Sequence, residues 1–384
     1  MRILLLIFLL LTCMASHCQD STYFMARTTG NLPFLEYGTG DDRLGGAKMT
    51  FLDTNILIKI VDSLKTDYRV QLSKTYHAYL DKGFVVKTAE KIKPEYLTGS
   101  WKVFGDSAFD YVSINLNEKL PYRSIQQIEP SRIVVDIFGV TSNTNWITQL
   151  SSCKEIKNTW YEQPEDDVMR VFIDLKHSQH WGYALYYEGS RLIIKIKRQP
   201  EKPMLPFLTI AIDAGHGGEN NGADGKKSKV LEKVYTLLIA KELKQQLLTK
   251  GVKVIMTREI DTSLTMIERI QMLKNQNPDL LISIHLNSAS IDTIKGVSTY
   301  YRYIGFRPLS TAILKHMVEL GFNEWGNVGN FNFGLSGPTD YPNCLVEVGF
   351  LSNKDDEKRI LDPNFHKHVA QKIIEGIEEF LNNL

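Results

Sequence analysis

The chain has 384 residues, 43% of them hydrophobic, with 45 basic and 44 acidic side chains and a formal charge of +1. That length exceeds one core of usual size and predicts two or three domains, while the apolar fraction excludes long disordered stretches. The near-cancelling charges leave no strong positive field, which excludes bulk nucleic-acid binding.

Met1 and Arg2 open the chain on a positive charge, Ile3 to Leu11 is an unbroken apolar run, and Thr12 to Gln19 turns small and polar. The run is too short to cross a bilayer, which takes roughly 20 apolar residues in a helix. The layout is that of a secretory signal peptide over residues 1–18, cut between Ser16 and Gln19. The protein is therefore expected to be exported, to the periplasm or the cell envelope. Cys13 and Cys18 raise lipid anchoring as the minority alternative, but Thr12 and His17 stand where a lipobox carries Gly or Ala. Cys153 and Cys344 then remain, in different predicted domains, so no disulfide is expected. No other segment is apolar enough to span a membrane.

Short β-rich runs follow: Asn55 to Val61, Tyr68 to Leu72, Tyr111 to Leu116, Ser131 to Ile137, Met169 to Leu175 and Arg191 to Ile196. Turn residues separate them, which predicts an all-β N-terminal region of sandwich or small-barrel type. A weak break near Thr88 to Pro94 divides it into residues 24–92 and 95–198. A basic, proline-bearing stretch from Lys197 leads through a linker, residues 199–206, into a different pattern.

From residue 207 to 384 strands and helices alternate. Leu208 to Ile212 is a β-rich run, and Leu231 to Leu247 carries apolar residues at helical spacing. Val252 to Met256, Leu280 to Ile284, Val297 to Tyr303 and Cys344 to Val348 read as strands. Ser263 to Asn275, Leu309 to Leu320 and Phe365 to Leu381 read as helices, the last started by Asp362-Pro363. This alternation predicts an α/β domain with a mostly parallel sheet flanked by helices.

Four residues of this part can bind metal or move protons. His216 lies in a glycine-rich turn after the first strand, Glu232 opens the next helix, His285 closes a strand, and Glu347 sits in the apolar run Leu345-Val-Glu-Val-Gly-Phe350. Ligands of open parallel sheets gather beyond the carboxyl ends of the strands, where such residues would meet. Each has an ordinary alternative: a turn histidine, or an anion-binding turn, for His216; a first-turn acid for Glu232; a water-facing edge carboxylate for Glu347. Glu347 is the most informative, because an unpaired carboxylate among Leu, Val and Phe would cost several kcal/mol to bury. Two imidazoles and a carboxylate make the three-residue shell of a catalytic zinc, and a further carboxylate is then needed to move protons.

Asp213-x-Gly-His-Gly-Gly218, Leu231-Glu-Lys233, Ser283-Ile-His-Leu-Asn287 and Leu345-Val-Glu-Val-Gly-Phe-Leu-Ser-Asn353 occur in the order found in the zinc-dependent N-acetylmuramoyl-L-alanine amidases, which this part resembles; Thr257-Arg258-x-x-Asp261 and Arg269 also fit. The resemblance covers residues 207–384. It implies that His216, Glu232 and His285 bind zinc, that Glu347 is the catalytic acid/base, and that peptidoglycan is the substrate, cut between N-acetylmuramic acid and L-alanine. An activator protein is among the partners the family admits. The sequence departs from the pattern at Lys226-Lys-Ser-Lys-Val230 and at Ser298, where many relatives carry glutamate, so Ser298 is given no role. The span from His285 to Glu347 looks too short for a site-blocking helix, which predicts an open site.

Ser131-Arg-Ile-Val-Val-Asp136, Val168-Met-Arg-Val-Phe-Ile-Asp174 and Arg191 to Lys197 resemble the amidase N-terminal (AMIN) targeting domain, a β-sandwich expected to bind cell wall, with a generic sandwich as the alternative. Residues 24–92 faintly resemble a bacterial SH3-like barrel. Such modules would hold the enzyme on an insoluble polymer. Asp213 is expected either to orient His216 or to cap its turn. Arg258 and Arg269 are expected to form structural ion pairs, His316, His366 and His368 to be solvated, and Gly334 to Tyr341 to be a flexible loop lining the substrate groove. Two alternatives to the amidase remain: a non-catalytic wall-binding or regulatory protein on the same fold, and a zinc peptidase acting within the stem peptide.

Overall fold

The computed structural model describes residues 23–384 except 41–43, 92 and 94. The expected signal peptide and the cysteines of the lipid-anchor alternative lie outside the described residues.

The N-terminal region is all-β. Its first unit is a seven-stranded antiparallel sheet running from Phe24–Thr28 to Val85–Lys87. Two further sheets follow. One has four strands in the order Tyr122–Ile128, Ser131–Phe138, Val168–Leu175, Ile156–Glu165. The other has five, built around Thr98–Gly105, Phe109–Leu116 and Arg191–Lys197. In Val168–Leu175 the alternation of side chains sends Met169, Val171, Ile173 and Leu175 inward, the period-two pattern of a sheet with one buried face. These meet Val103, Val112, Ile114 and Ile194 of the facing sheet, and Met25, Ile58 and Leu80 of the first unit join the same apolar cluster.

The C-terminal domain is built on a six-stranded sheet in the order Lys253–Met256, Thr209–Ala214, Leu280–Asn287, Asn343–Phe350, Val297–Tyr300, Glu324–Val328. The first four strands are parallel; Val297–Tyr300 runs against Asn343–Phe350 and parallel to Glu324–Val328. Leu280–Asn287 is buried at every position but its last, as a strand covered on both faces must be. Its residues divide between the two cores. Leu280, Ile282 and Ile284 pack under helices Glu232–Thr249, Arg307–Val318 and Pro363–Asn382, whereas Leu281 packs with Ile270 and Leu273 of Met266–Gln276 on the other face. The helix Met266–Gln276 starts at a capping box, Thr265 with Glu268, and stops at Asn277 in the left-handed conformation.

The sandwich is clamped to this domain. Lys197 Nζ lies 2.6 Å from Pro278 O and 3.0 Å from Asp279 Oδ1, and Tyr183 exchanges bonds of 2.8 and 2.7 Å with Thr339. Gln179 and Gln126 bond the two backbone groups of Gly305 at 2.7 and 2.8 Å.

Two expectations need correction. His366 is buried, bonding Ile360 O at 2.7 Å, and His316 is half-buried among Glu319, Glu375 and Glu379; only His368 is exposed. Gly334 to Tyr341 is not an open flexible loop: Leu335, Ser336 and Tyr341 are buried and a 3-10 turn spans Gly334–Ser336. In both places a helical or polar setting hid neighbours supplied by distant segments.

Candidate metal centre

The strand Thr209–Ala214 ends in a turn that carries His216 at φ +62°, a conformation L-residues rarely hold. Tight approach makes the surrounding glycines necessary. A Cβ on Gly215 would fall 2.5 Å from His285 Cε1, and one on Gly222 would fall 2.4 Å from Glu232 Oε2.

His216 Nδ1 lies 2.9 Å from Asn220 Oδ1, which also accepts the Gly222 N–H at 3.1 Å. With Nδ1 as donor, Nε2 keeps its lone pair and sits 3.1 Å from Glu232 Oε2. Glu232, 3% exposed at the start of its helix, accepts Ala223 N–H on Oε2 and Leu286 N–H on Oε1. His285 Nδ1 stands 3.1 Å from that same Oε1. The two imidazoles meet edge to face, with ring centroids 4.9 Å apart.

The ligand atoms of His216, Glu232 and His285 all lie within 4.8 Å of one another. Each imidazole stands 3.1 Å from one oxygen of the Glu232 carboxylate, and two imidazoles with a carboxylate are a donor set that zinc accepts. The group therefore fits a divalent metal in donor type and in spacing. His316, Glu319 and Glu375 make a second such grouping, but Lys372 already bonds both of its carboxylates at 2.7 and 2.6 Å, so it has no cation to call for.

Electrostatics agree with the first grouping. Burial alone would raise the Glu232 carboxyl, but the bonds from His216 and His285 hold it far below the usual carboxylate range. Burial would lower His285; its bond to Glu232 and the nearby Glu347 and Asp213 charges carry it upward instead. The ion-pair partners of Glu232 among the described residues are both histidines. A buried carboxylate flanked by two imidazoles and, among the described residues, by no lysine or arginine is a setting in which a bound cation would find its counter-charge.

Glu347 is the Cα partner of His285 on one side and of Ser298 on the other. It is half-buried in a strand whose other residues are buried. The four residues singled out in the sequence are therefore brought together at one end of the sheet.

The surrounding roles differ from expectation. Asp213 neither orients His216 nor caps its turn: it is bonded by Arg269 at 2.5 Å, Thr257 at 2.7 Å and Ser283 at 2.6 Å. Burial would raise this carboxyl, and the Arg269 guanidinium brings it below its ordinary value. Arg269 is thus an ion-pair partner as expected, and it also bonds His216 O. Arg258 instead donates to the carbonyls of Ala214, Gly215 and Lys233. The residue that bonds Nδ1 of His216 is Asn220, and Phe333 packs edge-on to His285 with centroids 5.4 Å apart. Sequence reasoning missed both. Asn220, four residues past a candidate ligand in a glycine-rich turn, carried a usable signal; Phe333 carried none.

Residues 210–379 match the N-acetylmuramoyl-L-alanine amidase family, and residues 104–196 match the AMIN domain. The probable cell wall amidase LytH of Staphylococcus saprophyticus is 34% identical over 197 residues, 50% of this chain and 65% of that protein. Its Staphylococcus epidermidis counterpart is 32% identical over 46% of this chain and 59% of that protein. The chain thus spans less than two thirds of the length of these curated relatives. Among solved structures, the catalytic domain of the amidase CwlV of Bacillus (Paenibacillus) polymyxa var. colistinus is 32% identical, covering 46% of this chain and 99% of that one, with a TM-score of 0.44. An N-acetylmuramoyl-L-alanine amidase of Clostridium difficile 630 is 31% identical over 46% and 97%, also at 0.44. The chain belongs to the N-acetylmuramoyl-L-alanine amidase family through residues 210–379, and carries an AMIN domain ahead of them.

Proposed function

We propose that this protein hydrolyses the amide bond between N-acetylmuramic acid and L-alanine in peptidoglycan, with His216, Glu232 and His285 holding a zinc ion and Glu347 serving as general acid/base. The observation that carries this reading is the convergence of two imidazoles on one buried carboxylate, with Glu347 in register beside His285. Bound zinc would polarise the scissile carbonyl and lower the pKa of water to about 7. Glu347 takes the proton of the attacking water as the C–O bond forms, and returns it to the alanine nitrogen as the C–N bond breaks. Asn220 holds the His216 ring with Nε2 free, and Glu232, opposite both imidazoles, keeps them turned toward one point. Glu347, on an interior strand of the sheet, is only half-buried, which leaves it reachable by substrate.

The remaining domain readings belong to the same proposal. Residues 95–198 dock the enzyme on the wall, residues 207–384 cut, and residues 1–18 direct export to the periplasm or cell envelope. No helix among the described residues is long and apolar enough to cross a membrane.

The test is release of new L-alanine amino groups from purified peptidoglycan by the full-length zinc-loaded protein, with and without chelator. Release should be chelator-sensitive and should fall by roughly 10²–10⁴-fold in Glu347→Gln, with zinc content unchanged. A zinc-loaded parent protein that releases nothing would sink the hydrolase reading in favour of wall binding.

A further inference from the structure

Residues 44–51, in the first β unit, contact the segment that packs beside His285. The segment 329–337 runs from the end of strand Glu324–Val328 to the turn Gly334–Ser336. It carries Phe331 and Phe333, stacked on one another at 6.2 Å. Phe333 lies edge-on to His285, and Phe331 packs on Tyr300 at 4.5 Å. Between them Asn332 points the other way, into the first β unit. Its Oδ1 accepts Lys48 N–H at 3.1 Å and Arg302 Nη1 at 2.7 Å, and its Nδ2 donates to Gly46 O at 2.7 Å. Arg302 closes the ring of contacts by donating to Lys48 O. Beside it, Phe51 and Leu32 pack against the cluster of Leu335, Tyr341 and Ile270. A Cβ on Gly337 would come within 2.8 Å of the Phe51 ring.

We infer that the first β unit is a working part of the catalytic apparatus: it grips the segment 329–337 through Asn332 and Phe51 and thereby sets the aromatic wall that Phe331 and Phe333 present beside His285. Asn332 and Phe51 are positioning residues. Neither touches the metal ligands in this arrangement; each acts through the ring that does. An Asn whose carboxamide bonds a different β unit, placed between two aromatic residues that face the site, couples the pose of those rings to that unit. Phe333 packs against the ring of His285, so the placement of Phe333 bears on how the site holds that imidazole and presents the reacting amide. The inference rests on the amidase reading for its kinetic consequence, and on contacts alone for its structural one.

The test compares the full-length zinc-loaded parent with Asn332→Ala, Phe51→Ala and Phe51→Leu. KM and kcat are measured on a soluble muropeptide, zinc per chain by metal analysis, amide hydrogen exchange across the molecule, and the visible spectrum after cobalt substitution. Expected for Asn332→Ala and Phe51→Ala is faster exchange confined to residues 329–337, about one zinc retained per chain, a changed cobalt spectrum and KM raised roughly 10-fold, as displaced reacting groups entail. Phe51→Leu, which keeps apolar bulk, should restore most of the loss if Phe51→Ala folds poorly. Unchanged exchange at 329–337, or faster exchange with KM, kcat and the cobalt spectrum all unmoved, would overturn the inference. If the parent releases no amino groups, the amidase reading fails alone, and exchange together with the cobalt spectrum still decides the positioning.

Discussion

The sandwich and the metal centre both bury carboxylates, and they close them differently. Asp136, 1% exposed, is held by Arg123 at 2.8 Å and Arg170 at 2.7 Å. Asp110, fully buried, takes Arg198 and the backbone N–H groups of Lys154, Glu155 and Ile156. Both are permanently balanced, because a guanidinium stays charged at any physiological pH. Glu232 is nearly as deeply buried yet pairs with two imidazoles, side chains that can turn a ring-nitrogen lone pair to a metal. Within the catalytic domain Asp213 follows the sandwich's rule, with Arg269, and lies one strand-end from Glu232. Asp136, Asp110 and Asp213 are each closed by arginine; at Glu232 two imidazoles stand in that place, and these can also ligate a cation.

The comparison breaks most visibly at Glu232. Glu232→Gln keeps the shape and removes the charge, so zinc should leave and hydrolysis should fall by at least about 10³-fold, since a metal supplies several kcal/mol and each 1.36 or so is tenfold. Retained zinc and retained activity would show the carboxylate to be merely structural. The opposite signature is expected in the sandwich. Asp136→Asn leaves two guanidiniums without their buried partner, a loss of about 3–5 kcal/mol in urea unfolding. Activity per folded molecule on a soluble muropeptide should stay within about twofold, because uncoupled distant sites are nearly additive; a loss of turnover matching the loss of stability would erase the distinction between the regions.

A histidine outside the metal centre sharpens the rule further. His180, 1% exposed at the sandwich edge beside Gly305, has its pKa pushed down to about 4 by burial, against a partial offset from Gln127 O. Its folded pKa lies below its unfolded value, so the unfolded chain binds the extra proton first. Stability contributed by the neutral ring is complete above about pH 6.5 and is lost as pH falls toward 4, by up to about 3 kcal/mol. His180→Gln should flatten that part of the pH–stability curve; an unchanged slope would show that the ring is already protonated in the fold or that it reaches water.

How much of this could be read from the chain follows from how local each signal is. His216 and His285 were read at strand ends and Glu232 one loop past the first, where topology predicts convergence; Glu347 stood out instead as a carboxylate inside an apolar strand. The strand Val168–Leu175 was equally legible, because burial on one face imposes a period of two, and Ser131–Phe138 was legible as a short β-rich run. Ile156–Glu165 was not, since only two of its ten residues are buried and its register shifts at two places. Asp213 was assigned to its neighbour in sequence, but the partner that could neutralise it was Arg269, 56 residues on. The contact between Asn332 and Lys48 spans 284 residues and joins two units, and no periodicity or motif records it.

The bonds between Tyr183 and Thr339, and between Lys197 and Asp279, carry one more consequence. A binding module on a long tether lets its enzyme graze a sphere of substrate from one foothold. If the sandwich docks on the wall as proposed, a module fastened this firmly would give each foothold a single place to cut. Progress along an insoluble wall would then depend on letting go and landing again, so tighter docking would slow turnover rather than speed it.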